Sequence, residues 1–209
     1  MKGWKEGENS AGKKLKEWWG VSFYRSPASG ALATTRANSL PPSVVSGMTG
    51  DVICDLHGPG LNPNISFPFV VEVKAYEKIS LYALIRRGAF KILPGDRAKG
   101  ESDLWLSWYQ AKVEAMRGNR WPLLMFKEDR KGWFVAFSMK TGLGEHTVEN
   151  KLDALFFHDM VIMSWDKFEE SLSRSRVETI ACREMAEGTL KTPDKWSEPT
   201  DCSTLWQHI

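Results

Sequence analysis

An α/β fold, a central sheet flanked by helices, is what this sequence predicts, and two observations predict it. Segments with strand-like alternation or short apolar runs, at residues 67–75, 122–127, 133–137 and 160–163, are interleaved with segments of helical apolar spacing at 6–19, 102–117 and 165–172. The chain of 209 residues is 42% apolar and 26% charged, which is enough apolar material for one sizeable core and too much for a disordered, collagen-like or mucin-like protein.

Each element has a local reason. Leu15, Trp18 and Trp19 fall at helical spacing, and Gly20 stands where a helix would stop, so residues 6–19 read as the first helix. Residues 21–26 are rich in β-formers and run into Pro27 and a loop of small residues. From 34 to 50 no period is visible, and Pro41-Pro42 with Gly47 suggests an irregular connection. Val52-Ile53-Cys54, a turn-like stretch at 57–64 and residues 67–75 together predict a hairpin. On its second strand Phe69, Val71, Val73 and Ala75 share one face, while Val70, Glu72 and Lys74 share the other. A short helix is expected at 79–87. A long one is expected at 102–117, with Leu104, Trp108, Ala111 and Ala115 on its apolar face and Gly118 as its stop. The charged stretch 128–132 is a hairpin turn between two further strands. Residues 160–163 give a last strand, Ser164 caps a helix carrying Trp165, Phe168 and Leu172, and one more helix is expected at 177–187. Trp18, Trp19, Trp105, Trp108 and Trp133 lie in patterned segments and are read as core or interface rather than as base-stacking residues. Residues 1–173 read as one domain and 174–209 as a C-terminal extension, partly helical and then rich in Pro, Thr and Ser.

Several function classes drop out. No apolar run approaches the roughly 18 residues of a membrane span, and the first residues lack a signal-like apolar region, so the expectation is a cytoplasmic protein without a membrane partner. Cys54, Cys182 and Cys202 match no zinc or disulfide spacing, and His57, His146, His158 and His208 have no ligand spacing. Phosphate-binding glycine loops, dinucleotide fingerprints and nucleophile elbows are absent from the sequence. The net charge of +2 hides two basic stretches: residues 1–40 hold seven basic groups against three acids, and residues 74–100 seven against two. Lys13, Lys14 and Lys16 in the first, and Arg86, Arg87 and Lys91 in the second, suit DNA backbones, although each alone is also an ordinary solvated charge.

The sharpest chemical feature is Glu72 with Lys74. A strand places i and i+2 side chains together, and a carboxylate beside a lysine on an otherwise apolar strand is costly to bury. An antiparallel hairpin brings Asp51 beside Glu72. Two adjacent carboxylates repel unless a cation lies between them, and hard oxygen donors suit Mg²⁺ or Mn²⁺. Such a metal would polarise a phosphodiester and lower the pKa of a bound water, with Lys74 orienting the attacking water or stabilising developing charge. Asp55 is a rival to Asp51, and an isolated pattern of this kind also fits a surface ion pair.

Gly50-Asp51 followed by Glu72-Val73-Lys74, with a helix bearing Glu8 before and a helix bearing Gln110 after, resembles the PD-(D/E)XK nuclease superfamily. Within it the chain is most similar to archaeal-type Holliday junction resolvases and their phage relatives, because Phe23-Tyr24-Arg25-Ser26-Pro27-Ala28-Ser29-Gly30 is similar to that group's R-(S/A/T)-P-x-S-G segment. The resemblance covers roughly residues 6–140. It implies a restriction-endonuclease-like core with a mixed sheet and a metal-dependent endodeoxyribonuclease. Asp51 and Glu72 would hold Mg²⁺, or Mn²⁺ in its place, with the Val73 carbonyl and Glu8 as further ligands. Lys74 would serve the nucleophile, Arg25, Ser26 and Ser29 would touch the scissile phosphate, and Gln110 would lie near the site. It further implies branched DNA as substrate, a homodimer, a role in recombination or repair and, for a phage protein, the host cytoplasm. Two departures stand out: the motif's proline is Gly50, and the helix around Glu8 contains glycines. Two other functions fit the same residues: a less selective phage-type nuclease acting on duplex, flap or single-stranded DNA, and a non-catalytic DNA-binding module.

Overall fold

The computed structural model describes residues 3–26, 50–54, 67–76, 101–118, 120–128, 132–157 and 159–186. The predicted helix at 79–87, the loops at 28–31 and 57–64, and the C-terminal stretch from 187 lie outside the described residues. Five helices are described: α1 (Gly3–Trp19), α2 (Glu101–Gly118), α3 (Gly142–Glu149), α4 (Trp165–Ser171) and α5 (Arg174–Ala186). Seven strands, β1 (Phe23–Arg25), β2 (Val52–Cys54), β3 (Phe69–Tyr76), β4 (Trp121–Glu128), β5 (Trp133–Ser138), β6 (Leu155–Phe157) and β7 (Met160–Ser164), form one sheet in the order β1-β2-β3-β4-β5-β7-β6.

The sheet is mixed: β3 and β4 run parallel, and every other neighbouring pair runs antiparallel. A parallel pair needs a crossover, and α2 lies within it, between β3 and β4 in sequence. Period-two alternation then divides the core between the two faces of the sheet. On one face Phe69, Val71, Val73, Leu123, Met125, Val135, Phe137, Val161 and Met163 pack with α1, α4 and α5. On the other, Leu124, Phe126, Ala136, Met160 and Ile162 pack against Leu104, Trp108 and Ala111 of α2. The α2 stripe is therefore the one its sequence spacing predicts.

Aromatic residues fill the α1 side. Trp18 packs edge-on to Trp165 at 5.9 Å between ring centroids and donates its indole N–H to Leu172 O at 2.8 Å, which removes the cost of burying that donor. Trp19, Trp108 and Trp133 are buried as expected, whereas the side chain of Trp105 lies outside the described residues. Arg174 of α5 donates to Trp19 O at 2.8 Å, satisfying a carbonyl at the end of α1 and stacking on the Trp19 ring. Val177, Ile180 and Ala181 of α5 join this same core. Ser164 caps α4, its Oγ accepting from Lys167 N at 3.4 Å.

Helix α3 and strand β6 are additional to the elements that periodicity predicts. α3 has eight residues, two of them glycines, and no apolar stripe long enough to register. Gly144 is needed there, since a Cβ would stand 2.4 Å from Met139 Cα. β6 has three residues and is recognisable only by its pairing with β7. No helix among the described residues is long and apolar enough to cross a membrane.

Candidate active site

The β2–β3 ladder fixes the centre of the site. Val52 pairs with Val71, and immediately before β2 the Asp51 N–H donates to Val71 O at 2.8 Å. The Asp51 side chain turns along β3, where its Oδ2 accepts from Val73 N at 2.9 Å. Glu72 stands between those two β3 residues, so the hairpin sets the two carboxyls side by side, as the sequence spacing requires. Lys74, two residues on and on the same side of the strand, donates from Nζ to Glu72 Oε1. This side of β3 faces α2, and it is closed: Asp51 is 3% exposed and Glu72 0%.

Burial dominates the electrostatics. It pushes the Asp51 carboxyl above the usual carboxylate range, against the lowering effects of Lys74 and the Val73 N–H. Glu72 is pushed up to about 8, first by burial and then by Asp51, while Lys74 draws it down. Lys74 alone does not balance this charge, because a third carboxylate, Glu114 of α2, is 5% exposed and raises both Asp51 and Glu72. Among the described residues, Glu72 Oε2 is the buried side-chain oxygen or nitrogen that no donor reaches. Leaving such an oxygen unpaired costs on the order of 1–3 kcal/mol, more when it is charged.

Those observations test the residues against a divalent cation, and the residues fit it. The donors are hard oxygens, the pair repels itself, and one oxygen lacks a partner. Among the described residues no three or more His, Cys, Asp or Glu side chains form a ready cage, so the fit rests on the Asp51–Glu72 pair.

Ser26 is buried at the end of β1 and donates its N–H to Asp51 O at 2.8 Å, which ties β1 to the site through the backbone. Glu8 is buried on α1 and pairs with Arg25 Nε on β1, while Gly7 of the same helix packs toward Ala75 at the end of β3. Gln110 reaches Glu114 Oε1 at 3.4 Å and so touches the site through that carboxylate. Lys13 is exposed on α1. Ser29, Arg86, Arg87 and the rival Asp55 lie outside the described residues.

Glu114 was not among the residues that the motif indicates. Its signal is a polar row on α2 beside the apolar stripe: Ser107, Gln110 and Glu114 follow one another at helical spacing. Ser107 hydrogen-bonds Tyr76 of β3 at 2.8 Å, and Glu114 Oε2 accepts from Gly50 N at 2.9 Å. The same contact explains the missing proline. Gly50 has φ +91°, its Cβ would stand 2.7 Å from Val71 O, and its N–H is used; proline offers neither that φ nor an N–H.

No curated protein and no solved structure matches the chain. The family model described as "Phage putative PDDEXK endonuclease" matches residues 2–179, which extends past the 6–140 of the motif-based resemblance and into α5. The match contains the hairpin, the crossover helix and the whole seven-stranded sheet, and the chain therefore belongs to this phage PDDEXK family of the PD-(D/E)XK nucleases.

Proposed function

We propose that the protein is a divalent-metal-dependent DNA endonuclease that cuts four-way junctions as a homodimer. The observation that carries the metal-dependent part is Glu72 Oε2, a buried carboxylate oxygen without a donor beside a second buried carboxylate. Asp51 and Glu72 would hold Mg²⁺, with Mn²⁺ able to replace it, and Glu8 and the Val73 carbonyl are candidates to complete the shell. When bound, the metal supplies Lewis acidity and a water acidic enough to attack phosphorus near neutral pH. Lys74, which donates to Glu72, would orient that water. Arg25, aligned by Glu8, presents a permanent charge at the β1 edge for the phosphate, together with Ser26 and Ser29. Lys13, Arg86 and Arg87 would follow the DNA backbone away from the cut.

Junction preference rests on the similarity of residues 23–30 to the resolvase segment. Paired, symmetric nicks across a four-way junction need two active sites, hence the homodimer. End-labelled four-way junction, flap, duplex and single-stranded DNA, each with Mg²⁺, Mn²⁺ or EDTA, separate the readings. Paired nicks confined to the junction are expected. Equal cutting of every substrate would replace the junction reading with a general nuclease, and binding without cutting in any metal would replace both with a non-catalytic module.

A further inference from the structure

We infer that Glu114 is a positioning residue that anchors the Asp51 segment through the Gly50 N–H, in place of the rigid proline that Gly50 replaces. The inference rests on the reading of Asp51 and Glu72 as metal holders. Asp51 acts from the turn that precedes β2, and that turn has a conformation only glycine adopts easily, with φ +91° at Gly50. Glycine also gives the chain its greatest freedom there, so something must fix it. Two backbone bonds hold Asp51 itself, from its N–H to Val71 O and from Ser26 N to its carbonyl, both at 2.8 Å. On the Gly50 side the hold is Glu114, whose buried Oε2 accepts the Gly50 N–H at 2.9 Å across a sequence distance of 64 residues.

Both oxygens of Glu114 have donors, Gly50 N on Oε2 and Gln110 Nε2 on Oε1. The unmatched oxygen of the cluster is on Glu72. Glu114 thus orients, while Asp51 and Glu72 present oxygens to a cation. Groups that orient a ligand in this way are typically worth 10- to 100-fold in metal affinity.

The test uses the full-length metal-free protein, wild type beside Glu114→Gln and Glu114→Ala, with thermal melting to confirm folding. Hydrogen exchange at the Gly50 and Asp51 amides reads the anchor, and calorimetric titration with Mn²⁺ in the absence of DNA reads its consequence. Gln keeps an acceptor for the Gly50 N–H without the charge, so it should fall between wild type and Ala in both, closer to wild type. Ala should speed Gly50 exchange by about 10- to 100-fold, as expected for a lost hydrogen bond to a charged group, and weaken Mn²⁺ binding by about 10- to 100-fold. Wild-type protection of Gly50 in the Ala variant would overturn the inference. So would a Gln variant that binds Mn²⁺ as weakly as Ala with Gly50 still protected, since Glu114 would then act by charge or direct ligation. Failure of the wild type to bind Mn²⁺, with the exchange pattern as expected, would sink the metal reading and still support the anchor.

Discussion

Lys74 is a cation felt by both carboxylates of the site, lowering Asp51 and Glu72 alike, and it donates directly to Glu72. It can contribute in two ways: by making the paired acids tolerable inside the protein, or by acting on the substrate. Breaking a buried ion pair leaves its partner uncompensated, so Lys74→Ala alone would mix the two effects. Lys74→Met keeps the stem and removes the charge. If Lys74 serves the reaction, Lys74→Met should cut DNA roughly 10²- to 10³-fold more slowly, the scale of one lost electrostatic donor, while Mn²⁺ still binds. Unchanged cleavage would limit Lys74 to a structural role. Asp51, Glu72 and Lys74 were legible in the sequence because a strand's period of two and a hairpin together dictate their neighbourhood. Glu114 was not, because it reaches the site across 64 residues through a backbone N–H, and no spacing rule encodes such a contact.

Among the elements, α5 shows how a segment assigned to an extension is bound to the sheet. Glu184 accepts from Trp121 Nε1 of β4 at 3.0 Å and from Gly142 N at the start of α3, so one side chain joins two helices and a strand. Burial raises the Glu184 pKa above its ordinary value of 4.5, against the lowering effects of the Gly142 and Trp121 hydrogen bonds. A carboxyl with a raised folded pKa contributes stability that is fully present below the unfolded value and lost as pH rises through the folded one. Glu184→Gln does not titrate. Its melting temperature should therefore gain on the wild type as pH rises above 4.5, over a constant loss for the missing second acceptor. A difference that stays flat with pH would contradict this account. Long, periodic elements such as α1, α2 and β3 to β5 were readable because each carries enough turns or alternations for its buried face to show. α3 and β6 were not: eight residues with two glycines, and three residues at a sheet edge, owe their form to neighbours rather than to their own pattern.

For the whole molecule, the sheet separates two tasks. One face is apolar and carries the aromatic packing of α1, α4 and α5. The other, under α2, is apolar beneath Leu104 and Trp108 and becomes ionic at β3, where Glu72, Lys74 and Glu114 meet Asp51. α2 is held over that face at a second point, where Trp108 Nε1 and Lys112 Nζ both donate to Asp159, at 3.2 Å and 3.1 Å. A protein of this size keeps only about 5–15 kcal/mol of net stability, so a buried cluster of three carboxylates and one lysine is a sizeable liability unless a cation and a reaction justify it. The class of the fold could be read from interleaved strands and helices, and two hairpin pairs, β2 with β3 and β4 with β5, from the turns between them, but the rest of the strand order could not, since pairing between distant segments leaves no local trace. The most direct measurement is cleavage of end-labelled four-way junction DNA by wild type and by Glu72→Gln, each in Mg²⁺ and in EDTA, with binding to the same DNA measured in parallel. The account predicts cutting by the wild type in Mg²⁺ alone, with both proteins binding the DNA; cutting by Glu72→Gln at the wild-type rate, or cutting in EDTA, would contradict it.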